Sequence, residues 1–137
     1  MTTRTGGCLC GAVRYELTGD PVFQFACHCS DCQRTSGGAP TFGWIVPKPA
    51  VAITKGAVRT YWVEGESGGQ VGRQFCETCG SPMFSEIANS PAIIGVKVGS
   101  LDDSSDFKIQ ADIWTQSAPP WHRFEPGAPQ MPRGPGG

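Results

Sequence analysis

The chain is poor in charge and has no excess of either sign. Charged residues make up 17% of its 137 positions and the formal net charge is −1. No basic face is therefore expected to recruit nucleic acid or anionic lipid. Long apolar runs are missing too: no stretch nears the ~18–20 residues of a membrane-spanning helix. Helical periodicity is also absent, because no long segment repeats apolar residues at i, i+3, i+4 and i+7. At most "SDCQRTSG" (30–37) makes a short helical turn. "MTTRTGG" runs into Cys8 without an apolar leader core, so a cytoplasmic protein with neither membrane nor nucleic-acid partners is expected.

What the chain does have is turn formers and short alternating segments. It holds 19 Gly and 12 Pro. "AVRYEL" (12–17) sets Val13, Tyr15 and Leu17 against Arg14 and Glu16, the period of a half-buried strand. "PTFGWIV" (40–46), "AVAIT" (50–54), "VRTYWVE" (58–64), "GRQFC" (72–76), "MFSEI" (83–87) and "AIIGVKVGSL" (92–101) are β-branched or aromatic and continue the series. "FKIQADIW" (107–114) alternates Phe107, Ile109, Ala111 and Ile113 with Lys108, Gln110 and Asp112. The fold expected is all-β, in one domain over residues 1–125. From Pro119 onward lie six of the twelve prolines, and residues 126–137 read as a disordered Pro/Gly-rich tail.

Seven cysteines stand out in so small a chain. In a reducing compartment clustered thiols point to metal, ahead of redox pairs or incidental core cysteines. "CETCG" (76–80) is a CxxC followed by glycine, a knuckle whose two sulfurs face one ion. Gly80 can take the positive φ that turns backbone N–H groups toward them. "CLCG" (8–11) is CxC, and on an extended strand its sulfurs share a face. The two pairs together make one four-cysteine site. Cys27, Cys29 and Cys32 are left as a triad, and a three-thiolate zinc keeps a vacant position of the kind found in catalytic sites. Pairing Cys29/Cys32 with Cys76/Cys79 is the other partition. The separation of those pairs far exceeds the ~15–20 residues usual in zinc ribbons, which weighs against it without excluding it.

Taken together, "GGCLCGAVRYEL", "ACHCSDCQRTSGG", "FCETCGSPMF", "VGSLDD" and "DIWTQSAPPW" resemble, in order, the motifs of the glutathione-dependent formaldehyde-activating enzyme family, which includes the centromere protein V domains. The resemblance runs over nearly residues 6–121 and takes in all seven cysteines. It implies an Mss4-like fold of small antiparallel sheets organised around zinc, with two Zn²⁺ per chain. It also implies Cys8, Cys10, Cys76 and Cys79 as ligands of a structural zinc, and Cys27, Cys29 and Cys32 as ligands of a catalytic one. With three ligands, the second zinc is the one expected to be lost first on purification. The implied activity is a carbon–sulfur lyase or ligase type, joining glutathione or another small thiol to formaldehyde or a similar small electrophile.

The remaining candidates are read from residue type and position. Arg34, next to the triad, is the first choice for a glutathione carboxylate, with Arg59, Arg73, Lys97 and Arg123 unranked behind it. "SGG" (36–38) reads first as a turn and second as an anion-binding backbone. His28 alternates away from its neighbouring cysteines and is expected in a supporting or surface role. His122 is a candidate fourth ligand, general base or surface residue. Trp44, Trp62, Trp114 and Trp121 read as packing, with Phe42 and Trp44 favoured should an aromatic line a pocket. In "SLDD", Asp102 or Asp103 is expected to cap its own turn. Two other functions fit the same residues: a non-catalytic thiol carrier and a purely structural zinc domain. Saturable rate acceleration separates the enzyme from the carrier, and two closed sites mark the structural domain.

Overall fold

Alternation in the sequence becomes strand at most of the expected places. The computed structural model describes residues 2–134, and among these ten strands follow one another with one short α-helix. They are β1 (Thr3–Gly7), β2 (Arg14–Thr18), β3 (Phe23–Cys27), α1 (Ser30–Ser36), β4 (Thr41–Pro47), β5 (Val51–Lys55), β6 (Arg59–Glu64), β7 (Gln70–Phe75), β8 (Pro82–Ile87), β9 (Ile93–Lys97) and β10 (Ala111–Ile113). No helix among the described residues is long and apolar enough to cross a membrane.

The strands form two sheets. One is three-stranded, β1–β2–β5, and the other runs β10–β3–β4–β9–β8–β7–β6. The fold is mostly β, as expected, but the second sheet is neither small nor wholly antiparallel, because β10 lies parallel to β3. β1 and β3 fall outside the segments read as strands. "TRTGG" carries no apolar residue, and "FQFAC" is short and runs into the triad.

Register decides what each face of the large sheet does. Residues directly opposite on neighbouring strands share a face. Trp44, Val96 and Phe84 stand side by side on β4, β9 and β8. That face packs on Val13, Tyr15 and Leu17 around the small sheet and forms the main core. Burying side chains of this size contributes roughly 1.5–3 kcal/mol each. The opposite face carries the row Phe23, Ile45, Gly95, Ser85 and Arg73 across five strands. It lines the cavity described below.

Two expectations near the C-terminus change. Residues 107–110 are not strand, and Asp112, expected on a polar face, is buried. The Asp112 side chain is buried against His28, and a further segment pairs with the edge of β10. Asp112 N–H donates to Pro129 O at 2.8 Å, Met131 N–H donates to Asp112 O at 2.8 Å, and Thr115 N–H donates to Met131 O at 3.0 Å. Pro129 and Pro132 lack donors but keep their carbonyls, so the strip serves β10 chiefly as an acceptor edge. Arg133 stacks on Trp114 at 4.9 Å. The stretch that composition marked as a disordered tail is thus tied to the sheet over residues 129–133. Residues 135–137 of that stretch lie outside the described residues.

Candidate metal centre and cavity

Cys8 and Cys10 follow β1, and Cys76 and Cys79 follow β7. Their four sulfurs lie within 4.8 Å of one another. Cys8 Sγ is 3.7 Å from Cys10 Sγ, which is 3.8 Å from Cys76 Sγ. A tetrahedron with arms of ~2.3 Å has edges of about 3.8 Å, so the spacing fits one zinc-sized ion. The CxC pair reaches this geometry through a turn rather than the extended strand expected. Gly11, at φ 81, donates its N–H to Cys8 O at 3.2 Å. Val13 N–H donates to Cys8 Sγ at 3.3 Å, and Thr78 and Cys79 N–H donate to Cys76 Sγ at 3.4 and 3.5 Å. Gly80 has φ 77, the conformation that closes the knuckle. The Ser81 hydroxyl and backbone beside Cys79 bring its thiol down to about 5.

Cys27 ends β3, Cys29 caps α1 and Cys32 lies in the first turn of that helix. Their three sulfurs are within 4.8 Å of one another and all are buried. Cys29 Sγ takes the place of a capping oxygen, accepting Cys32 N–H at 3.3 Å. All seven cysteines are free thiols, grouped four and three, so the alternative pairing of two CxxC motifs is not formed. Arg73 Nη1 sits 3.8 Å from Cys32 Sγ, and Lys97 Nζ donates to Thr41 Oγ1 at 3.4 Å. Hydrogen bonds from Cys27 and Cys29, with Lys97 and Arg73 adding positive field, hold the Cys32 thiol far below its ordinary range. The same hydrogen bonding within the triad pushes Cys27 up. Burial pushes Lys97 down. Among the described residues neither Arg73 nor Lys97 is paired with a carboxylate, and Arg73 Nε is buried without a hydrogen-bond partner.

A cavity of ≈400 Å³ opens on the triad. Phe23, Phe25, Ile45, Val71, Ile87, Ile93 and Trp114 contribute apolar walls, with Arg73, Lys97, Thr41 and Glu66 as polar groups. A Cβ at Gly43 would lie 2.6 Å from the Phe25 ring, so any larger residue there would have to displace that wall.

The other expected residues are placed as follows. Arg34 is exposed and lies outside the lining of this cavity. Of the unranked cations, the fold brings in Arg73 and Lys97, while Arg59 pairs loosely with Glu77 at 3.9 Å. His28 is fully buried and its Nε2 is 2.8 Å from Asp112 Oδ1. His122 packs on His28 at 4.6 Å and on Phe124 at 4.7 Å, and neither imidazole joins a thiol cluster. Trp44 is core, and Trp114 is the tryptophan on the cavity wall. Gly37 N–H closes α1 on Gln33 O and Gly38 N–H bonds Ser36 Oγ, so "SGG" is a helix end. Asp102 bonds Arg14 and Thr5, and Asp103 caps Ser105. Glu66 was not anticipated. From the β6–β7 hairpin it accepts Ser30 N–H at 2.9 Å and the Ser117 hydroxyl at 2.8 Å, latching that loop over the triad. One of two glutamates in "EGESGGQ", it carries no local sign of this.

The model of the glutathione-dependent formaldehyde-activating enzyme family matches residues 3–117. The chain belongs to this family. A Halomonas elongata relative bearing the family's name is 25% identical, over 88% of this chain and 80% of its own length. Relatives of that name in Penicillium rubens and Fusarium vanettenii are 32% and 26% identical over 58% and 72% of this chain. The chain spans 42% and 52% of those two fungal proteins. The crystal structure of a Rhodobacter sphaeroides protein shares the fold, with a TM-score of 0.59 over 93% of this chain and 98% of that one at 21% identity.

Proposed function

We propose that this chain is a zinc-dependent enzyme that makes or breaks the carbon–sulfur bond between a small thiol, foremost glutathione, and a small aldehyde such as formaldehyde. The observation carrying this reading is the contrast between the clusters. Four sulfurs make up the full ligand set of one tetrahedral site, whereas three buried sulfurs stop one ligand short and face a cavity. Cys8, Cys10, Cys76 and Cys79 then hold a structural zinc, and Cys27, Cys29 and Cys32 hold the one that serves the reaction. A zinc ion bound there supplies Lewis acidity, which lowers a thiol's pKa or polarises a carbonyl oxygen.

This chain's residues orient and select. Arg73 and Lys97 place positive charge beside the sulfurs, favouring an anionic thiol and the carboxylates that glutathione carries. In this reading they take the role first given to Arg34. The thiol sulfur bonds to the carbonyl carbon, the π pair moves to oxygen, and the thiol proton ends on that oxygen. Cleavage is the reverse, and no oxidant enters. Seven free thiols fit work in a reducing, cytoplasmic compartment.

The test is NMR exchange spectroscopy on glutathione, formaldehyde and their adduct at equilibrium. Exchange should rise with the concentration of zinc-loaded protein and vanish in Cys29→Ser. Exchange no faster than in buffer, with glutathione lines broadened, would instead identify a thiol carrier. No response to thiol at all would leave a structural zinc domain.

A further inference from the structure

We propose that the aldehyde partner of this chain carries an apolar body of several carbons, so that formaldehyde is the poorest member of its substrate series. The inference rests on the thiol–aldehyde reading above and names the electrophile. Phe23, Phe25, Ile45, Ile87, Ile93 and Trp114 line a cavity of ≈400 Å³ whose charged groups among the described residues, apart from the thiol triad itself, are Arg73, Lys97 and Glu66. A volume of that order takes a small organic molecule, and formaldehyde, with two heavy atoms, would leave the apolar wall wet. Glutathione's carboxylates find Arg73 and Lys97 at the triad end, but its polar body does not match the apolar end of the chamber.

A second space lies beside the first. Lys97 and Thr41 line the apolar chamber and also a more polar cleft of ≈700 Å³ that includes Thr35, Ser36, Ser100 and the Arg14–Asp102 pair. The two reactants can therefore be sorted, the thiol sulfur lying at the triad beside Arg73 and Lys97 with its polar body toward the cleft, and the aldehyde's carbon chain lying against the apolar wall of the chamber. The chemistry is unchanged: R–SH adds to R′–CHO to give R–S–CH(OH)–R′, and atoms and protons balance without a co-reactant.

Gly95 offers a way to close the chamber. It lies on the chamber face, and a Cβ added there would meet Ser85 and Ile45 at 3.6 and 4.0 Å, ordinary contacts that leave the strand undisturbed. The experiment compares formaldehyde, butanal and hexanal with glutathione on zinc-loaded protein, each rate divided by the uncatalysed rate for the same aldehyde. Calorimetric titration with acetate and hexanoate reads the chamber independently of turnover. A fully buried methylene is worth about fourfold, so burying even two of hexanal's added carbons should put it about tenfold or more above formaldehyde. Hexanoate should bind where acetate does not, and Gly95→Val should remove both preferences. Equal or falling acceleration along the series overturns the inference while the thiol–aldehyde reading stands. Hexanoate binding with no acceleration of any aldehyde overturns the thiol–aldehyde reading and the aldehyde assignment together.

Discussion

Replacing Cys76 and replacing Cys29 by serine should have very different effects on stability. Cys10 and Cys76 are 66 positions apart, so an ion held by the four-cysteine cluster closes a long loop. Chain entropy assigns about 4 kcal/mol to a cross-link of that span. With an unfolding entropy of about 2.1 cal/mol/K per residue over 137 residues, that lowers the melting temperature by about 14 °C in Cys76→Ser. The triad lies within one short stretch, where the same model gives about 2 kcal/mol at most. Serine at position 29 also keeps an oxygen to accept Cys32 N–H, so the α1 cap survives. Cys29→Ser should therefore shift the midpoint by less than half as much. The assay is thermal melting by far-UV circular dichroism on zinc-loaded proteins, with zinc counted in each. A loss in Cys29→Ser as large as in Cys76→Ser would refute the division of labour between the clusters.

Asp112→Ala strands the fully buried His28 without its partner and should cost about 3 kcal/mol, read from urea unfolding, whereas Asp112→Asn keeps one acceptor and should cost less. Glu66→Ala should release residues 65–69 from Ser30 and Ser117 and raise amide exchange in that hairpin without moving the melting midpoint by more than about 2 °C. Arg14 and Thr5 hold the Asp102 carboxyl down to about 2, so their contact is complete above the ordinary 3.8 and is lost as pH falls through the lower value. A carboxyl-carbon NMR titration should show that midpoint, and Arg14→Ala should move it up toward 3.8.

How much could be read in advance depended on whether a signal was local. β2 shows itself by alternation, the strands from β4 to β9 by β-branched and aromatic composition, and the cysteines by spacing, because all are properties of a few adjacent residues. β1 could not be seen, since "TRTGG" owes its pairing to β2 and not to its own composition. Arg34 was preferred for its nearness in sequence, yet α1 turns it outward. Arg73, 41 positions from Cys32, reaches that sulfur because β7 folds alongside, a relation that only register creates. Asp112 was misplaced for the same kind of reason. Its alternation with Ile113 was read correctly, but the outward side of β10 holds the buried His28, on which His122 and Phe124 pack.

The segment bonded to the edge of β10 over residues 129–133 bears on how the triad holds its shape. Met131 packs against the cluster of Cys27, Cys29, Cys32, Ala111 and Ile113. Asp112, which pins His28 between two of the triad cysteines, lies beside Ala26 of β3 on one side and bonds residues 129–131 through both its N–H and its C=O on the other. Removing residues 126–137 would expose the β10 edge, leave Asp112 N–H without its acceptor and uncover one side of the triad. The loss should fall on the triad first, because the four-cysteine cluster packs with the main core and has no contact with this segment among its bonded neighbours. A chain ending at residue 125 should keep one zinc firmly and lose the other to a mild chelator well before the full chain does. If both ions leave at the full-length rates, the C-terminal segment is a passenger on the sheet and the triad is held by β3 and α1 alone.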